Sequence, residues 1–513
     1  WLRMGLDILA GIIALTGYGF SVYITTPGVL DVRTRVLLLP PLTLVGAVFL
    51  LLGCMLLFLR VFPFVLELLS NLAVRRRGAT YILAVAQMAR APRQALRMTL
   101  LLSLAVAFGI FSLIFSASQA NRIPIAAVHQ IGADFSATYL NGANLSKKPL
   151  KDQEATFTRI PGVLAASVGY TSSTRGAESG VDASIELRAV DADTFARAAH
   201  WSSDDSSQSL SNLMKQLVLQ RAVAEETQTV PAIVDTAAWK TLSLTSGGSF
   251  SLSDLNGSVN YVVIGVVEHI PTITDSSDAS GTGGYVALGG VLVDFSSYQG
   301  VVKADSQATV APSQIWLNTK SDDASLKSVR ASLASGSFNL VDVNDLRALE
   351  QTMQEDPLYL ALLGVLAIGT ITALLLGLLG NMTVSWLSAR GRLINFAVMR
   401  ALGTLPRQIA SILTYEQVII YATAIGLGVA FGLLLSFLVL PAFVFTSAAG
   451  NATEGAGIFY VAQSVPPIQM VIPGVLIALA IGMLIAICVI ALGMMIRVVS
   501  KPALTSTLRL NGD

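Results

Sequence analysis

The chain is poor in charge. Of its 513 residues only 13% are Asp, Glu, Lys or Arg and 53% are hydrophobic. Soluble domains carry about a quarter charged residues. The mean hydropathy of +0.66 therefore excludes an ordinary soluble protein and points to an integral membrane protein with some soluble mass attached. Cysteine is nearly absent. Cys54 and Cys488 both lie in apolar runs, so they make neither a disulfide framework nor a metal site and read as small core residues. Three histidines, His129, His200 and His269, are isolated in sequence, with no His-x-x-His or Cys-x-x-Cys spacing, which argues against a metal enzyme. There is no Gly-x-x-x-x-Gly-Lys-Ser/Thr and not even a Gly-Lys dipeptide. A P-loop needs that lysine and those backbone amides to hold phosphates, so ATP hydrolysis would have to come from another chain. No Gly-x-Ser-x-Gly elbow supports a hydrolase, and nothing suggests a nucleic-acid partner.

Long apolar runs are abundant instead. A helix crossing a hydrocarbon core of about 30 Å needs about 20 apolar residues. Six stretches qualify: Leu6–Tyr23, Val36–Leu59, Met98–Phe115, Leu358–Leu379, Thr414–Val439 and Val471–Ile496. Basic residues gather on one side of them. Arg3, Arg60, Arg75, Arg76, Arg77, Arg90, Arg93, Arg97, Arg390, Arg392, Arg400, Arg407, Arg497, Lys501 and Arg509 all fall there if the spans number six. By the positive-inside rule that side, with both termini, is cytosolic. The expected layout is two linking transmembrane helices (1–60), cytosolic amphipathic helices (61–97), a span (98–117), an extracytoplasmic domain (118–356), a span (357–386), cytosolic coupling helices (387–413), two spans (414–498) and a cytosolic tail (499–513).

Ser118–Asp356 is too long for a loop. It carries 26 acidic against 16 basic residues. Short β-prone runs at Ala133–Leu140, Val163–Tyr170, Ser184–Val190, Tyr261–Val267, Val291–Phe295 and Ser313–Asn318 read as strands. Leu150–Arg159, Ala192–His200, Leu210–Arg221, Asp235–Thr241, Leu326–Ala334 and Val343–Gln351 read as helices. The mixture predicts an α+β domain. Ser202–Ser211 and Thr272–Gly284 read as mobile loops. Asp275 and Asp278 lack EF-hand spacing, and the acids of this domain read as solvated surface carboxylates.

Two cytosolic segments carry the functional signal. Ala79–Arg90 places Tyr81, Ile82, Val85 and Met88 on one helical face with Arg90 off it, and Arg93 follows Pro92 at the start of the next helix. This predicts an amphipathic helix at the inner membrane interface. In Ser388–Leu413 a short apolar helix, Leu393–Leu402, carries Arg400 near its end. Gly403 suits a left-handed C′ position. Thr404 can cap the next helix, with Pro406 in its first turn. A hairpin of this kind is either a basic element held by lipid headgroups or a docking element for a partner's groove.

Leu393-Ile394-Asn395-Phe396-Ala397-Val398-Met399-Arg400-Ala401-Leu402-Gly403-Thr404 resembles the "E-I-G-L-L-R-A-L-G-A" element of FtsX-like (MacB-type) ABC permeases. Pro406-Arg407-Gln408-Ile409 and Glu416 fit the same pattern. Asn395 stands where glycine is common and Leu393 where an acid is common. Gln87-Met88-Ala89-Arg90-Ala91-Pro92-Arg93 is similar to that family's entry to its first span, and Gly132-Ala133-Asp134 and Ile160-Pro161-Gly162-Val163 fit its extracytoplasmic domain. The resemblance covers roughly 79–498. It implies a six-span helical bundle here, with an extracytoplasmic α+β domain like the MacB-type periplasmic core. It also implies a permease subunit, itself no enzyme, that pairs with a cytosolic ABC ATPase dimer. ATP and Mg would be bound by that partner, with no cofactor, metal or catalytic residue in this chain. Arg392, Phe396, Met399, Arg400, Leu402, Gly403 and Arg407 would then couple to the ATPase. The first two spans lie outside the four-span unit, as in larger ten-span members, so this chain would be the second unit and a first would lie upstream or on another chain. The start at Trp1 fits that expectation.

Two functions follow. One is ATP-driven export or extraction of an amphipathic lipid, lipoprotein or peptide. The other is mechanotransmission or sensing that regulates an extracytoplasmic protein. Polar residues in the spans, Asp7, Asn381, Ser385, Glu416 and Gln417, sit near their ends, which argues against a hydrophilic pore. A third reading is a membrane-anchored binding domain without an ATPase.

Overall fold

The computed structural model describes residues 79–90, 92–140, 149–178, 181–203, 205–254, 257–273, 287–307, 309–391, 403–440 and 469–500, with Val398 and a few isolated positions before 79. The expected spans Leu6–Tyr23 and Val36–Leu59, the Ser447–Pro467 loop, most of the Thr272–Gly284 loop and the tail after 500 lie outside the described residues. The described chain divides into a helical unit and a sheet-containing unit.

The helical unit contains α1 (Ala79–Arg90), the first part of α2 (Pro92–Ile131), and three further long helices. These are α11 (Pro357–Gly391), α12 (Pro406–Val439) and α13 (Gly474–Ser500). Four helices among the described residues are long and apolar enough to cross a membrane; they correspond to four of the six expected spans, and the other two fall outside the described residues. Their apolar windows differ in burial: 78% of that on α2 is buried, against 6% on α11. The helix α2 is therefore the hub of this unit. Without a hydrophobic driving force in lipid, helix contact depends on small residues that let backbones approach. Gly428 and Gly432 supply this on α12. A Cβ at Gly428 would lie 2.6 Å from Val106 Cβ, and one at Gly432 would lie 2.8 Å from Ile110 Cβ. Ser436, one turn further on, is buried with its hydroxyl donating to Gly432 O at 2.8 Å. On α11, Gly377 abuts Ala105 in the same manner.

The second unit holds α3 (Leu150–Thr158), α4 (Phe195–Ala198), α5 (Leu210–Leu219), α6 (Arg221–Thr227), α7 (Thr236–Thr241), α8 (Phe295–Ser306), α9 (Asp323–Ala334) and α10 (Leu346–Gln354). Its strands are β1 (Phe135–Tyr139), β2 (Val163–Glu178), β3 (Val181–Val190), β4 (Val230–Asp235), β5 (Ser249–Asp254), β6 (Gly257–Val267), β7 (Ala287–Asp294), β8 (Gln314–Thr319) and β9 (Leu340–Asp345). They form one nine-stranded sheet, ordered β3-β7-β4-β6-β5-β2-β8-β1-β9, with β2 also pairing β3.

That extra pairing gives the sheet two parts. The antiparallel set β2-β8-β1-β9, with α3 between β1 and β2 and α9 between β8 and β9, is a split β-α-β layer. The remaining strands are inserted between β2 and β8. The far half of the long β2 pairs β3 from Gly169 to Glu178 and touches β5 at Arg175 and Gly176, closing the ring β2-β3-β7-β4-β6-β5. Alternation fills the ring: Ile185, Leu187, Val230, Val234, Phe250, Tyr261, Val291 and Val293 share one core. The intervening Ile233 and Leu292 face a second core with the Leu210, Leu213, Met214 and Leu217 face of α5, which has the spacing of a helix buried on one side.

Several sequence expectations shift here. The strand β4 is absent from the sequence reading, and it contains Pro231, which has no N–H to donate to a ladder. Pro231 pairs only β6, and pairing to β7 starts at Ala232, so its missing donor lies where one neighbour suffices. The helix expected over Val343–Gln351 is displaced by β9, which runs to Asp345. That carboxylate then caps α10 through Arg347 N at 3.0 Å. Phe295, expected in a strand, instead begins α8, capped by Asp294 through Ser297 N at 3.0 Å.

Candidate functional site

The expected coupling hairpin lies between α11 and α12. Gly403 has φ +93°, a left-handed conformation cheap only for glycine. The capping residue of α12 is Leu405, not Thr404: Pro406 takes the first helical position, and the Leu405 N–H donates to the Gln408 side chain at 3.0 Å. Pro406 has no N–H to lose and its fixed φ suits this position, so the helix starts there. Thr404 is left with a hydroxyl that finds no partner. Arg407 is exposed. Arg392, Phe396, Met399, Arg400 and Leu402 lie outside the described residues; Val398 among them is helical and exposed.

Beyond Arg407 one face of α12 is buried: Ile409, Ile412, Leu413, Glu416, Gln417 and Ile420. The helix α1 covers it. The Tyr81 ring meets Tyr415 edge-on with centroids 5.6 Å apart, Ala84 and Val85 are fully buried, and Met88 shares a core with Ile420. Ile82 is half-buried. The apolar face read as resting on the membrane interface is thus turned toward α12. Arg90 is the last residue of α1 and Arg93 lies in the first turn of α2.

The sheet unit holds buried polar groups that local sequence reasoning read as solvated. Asp134 is a hub. Its carboxylate accepts from Thr319 N at 2.7 Å and lies 3.2 Å from His200 Nε2 and 3.3 Å from Arg347 Nη2. Burial alone would raise its pKa, but the hydrogen bonds from His200 and Thr319 and the Arg347 charge hold it below the ordinary value. Asp294 receives two bonds from Arg221, Nε at 2.9 Å and Nη2 at 2.7 Å, and Arg221 Nη1 reaches Asp193 at 3.0 Å. Asp235 accepts from Ala238 N and Gly290 N, both at 2.7 Å. Glu154 on α3 is buried, and burial pushes its carboxyl up to about 7 against the Thr194 hydrogen bond. One local signal for these acids existed: Asp235 and Asp294 each end a strand immediately before a helix, the position of an N-cap. His129 and His269, far apart in sequence, come to ring centroids 6.3 Å apart. Among the described residues no group of three His, Cys, Asp or Glu could hold a metal ion.

Residues 367–504, which contain the hairpin and α12, match the family model described as FtsX-like permease C-terminal. This segment is similar to the C-terminal domain of FtsX-like permeases. Two solved structures are similar to part of the chain. The periplasmic region of MacB from Actinobacillus actinomycetemcomitans is 12% identical, covers 44% of this chain and 96% of its own, and has a TM-score of 0.26. The extracellular domain of a noncanonic ABC-type transporter, YknZ from Gram-positive bacteria, is 13% identical, covers 41% and 100%, and has a TM-score of 0.23. Among curated proteins none matches.

Proposed function

We propose that this chain is the permease subunit of an ABC-type complex, in which a separate cytosolic ATPase drives export or extraction of an amphipathic lipid, lipoprotein or peptide. The supporting observation is the turn before α12 inside the FtsX-like match, with a left-handed Gly403 and a proline-started α12 whose first exposed cation is Arg407. Residues 392–402 would dock on the ATPase, with Phe396, Met399 and Leu402 as apolar anchors and Arg400 at the rim. The α1–α12 contact would give that docking element a firm base, since a push on α12 meets Tyr81, Val85 and Met88. The sheet unit would lie outside the cytosol and a second permease unit would complete the membrane part. A second reading is force transmission to an extracytoplasmic partner without passage of a solute; the apolar character of the four long helices argues against a hydrophilic pore and suits this reading and lateral handling of an apolar substrate alike.

The test is the double variant Phe396→Asp/Met399→Asp. It should lose recovery of the ATPase and stimulation of its hydrolysis in detergent while the membrane part stays folded. Equal binding and equal stimulation would remove the docking assignment.

A further inference from the structure

Segment 191–200 leaves the closed ring at the end of β3 and crosses the split β-α-β layer before α5. It is fastened by polar and apolar contacts. Thr194 N and Phe195 N donate to Asp191 O at 3.1 and 2.9 Å, turning the chain. The Thr194 hydroxyl donates to Glu154 Oε1 at 2.6 Å and lies 3.0 Å from Ser167 Oγ on β2. Val168 N approaches the same Glu154 oxygen at 3.4 Å. Asn318 of β8 donates to Arg197 O at 3.0 Å, and His200 N donates to Gly132 O at 2.7 Å. Phe195, edge-on to Trp316 with centroids 5.2 Å apart, is an apolar anchor, with Ala192 and Ala198 buried in the same core. This segment belongs in sequence to the ring and in contact to the layer, so it straps one to the other.

The strap's two acidic anchors differ. Asp134, at the His200 end, is bonded to groups that favour its charged form. Glu154, at the other end, faces Asp191 and Arg197 from the strap and Tyr139 from β1. Arg221 bonds Asp294 and Asp193 and pairs at 3.9 Å with Asp191, whose own carboxyl is raised chiefly by burial.

We propose that segment 191–200 is a pH-responsive strap, fastened while Glu154 is neutral and loosened from the split layer when Glu154 ionises. A neutral carboxyl can accept the Thr194 hydroxyl without opposing Asp191. A carboxylate there is a buried anion near a second acid; the Thr194 hydroxyl, Val168 N and the Arg197 charge favour it, but burial outweighs them. The position of its titration, about 7, makes both states accessible near neutral pH. The inference concerns the sheet unit alone and stands whether or not the chain couples to an ATPase.

Hydrogen–deuterium exchange on the full chain in detergent tests it. Rates would be measured at about pH 5.5 and about pH 8.5 and corrected for intrinsic exchange. In the parent, amides of 194–200 should lose about tenfold protection at the higher pH, while the ring-core peptide 230–235 is unchanged. Glu154→Gln should keep the acid-pH protection at both. Thr194→Val should lower protection of 194–200 even at acid pH. Three results would each overturn the proposal: pH-independent protection in the parent, a persistent pH effect in Glu154→Gln, or parent-like acid-pH protection in Thr194→Val. If Glu154→Gln does not fold, the parent and Thr194→Val decide the question.

Discussion

The close approach of α12 to α2 can be broken at one residue. A Cβ on Gly432 would stand 2.8 Å from Ile110 Cβ and 2.9 Å from Ala107 O. Ordinary carbon contacts need about 3.5–4.0 Å, so Gly432→Val forces the helices apart by roughly 0.7–1.2 Å. A radial gap of about that size forfeits a quarter to a half of each dispersion contact along the seam. The Val106–Gly428 and Ser436 contacts are on the same seam and would share the loss. Overpacking in a well-filled core costs about 1–3 kcal/mol, and the shared loss puts Gly432→Val at the upper end. Thermal unfolding of the purified chain in detergent should show a Tm several degrees lower. Gly426, six residues earlier on α12, has nothing within 4 Å of its Cβ position. Gly426→Ala should leave Tm unchanged or raise it, because alanine is the better helix former by about 1 kcal/mol. A Gly432→Val protein as stable as the parent would refute the close-packed seam.

Asp134→Asn should destabilise the sheet unit by about 1.5–3 kcal/mol, because it removes the charge facing Arg347 and His200 and leaves one acceptor oxygen where there were two; denaturant unfolding checks this. Since the folded-state pKa of Asp134 is depressed, its contribution is present above its ordinary pKa and is lost as pH falls through the folded value. Glu154 has the opposite sign. With its folded value raised from 4.5 to about 7, stability from this group is full below 4.5 and falls as pH rises through 7. The loss is about 3 kcal/mol unscreened and roughly 1–2 kcal/mol after solvent screening. Glu154→Gln should flatten that fall in Tm measured against pH. Gly403→Val, forced to φ +93°, should cost about 1–2 kcal/mol locally and reduce stimulation of the partner ATPase; unchanged stimulation would separate the turn from coupling.

Much of the chain was legible because its signals are local. Apolar runs of span length marked α2, α11, α12 and α13, since a bilayer imposes a length on any helix crossing it. The 3.6-residue spacing of Leu210, Leu213, Met214 and Leu217 marked α5, and Gly403 marked its turn, because only glycine takes that φ cheaply. The tertiary structure alone decided which of these surfaces meet. Tyr81, Val85 and Met88 made an apolar face in the sequence, but periodicity cannot say whether lipid or α12 covers it. Asp134 and Glu154 looked like any surface acids, because a carboxylate's burial depends on partners such as Thr319 and Thr194 that are remote in the chain. Pro231 argued locally against a strand that a neighbour on each side of β4 makes possible. Closure of the ring rests on β2 being long enough to pair β8 with one half and β3 with the other. Sequence periodicity fixes which residues share a face; only the fold brings distant faces, charges and strand edges together.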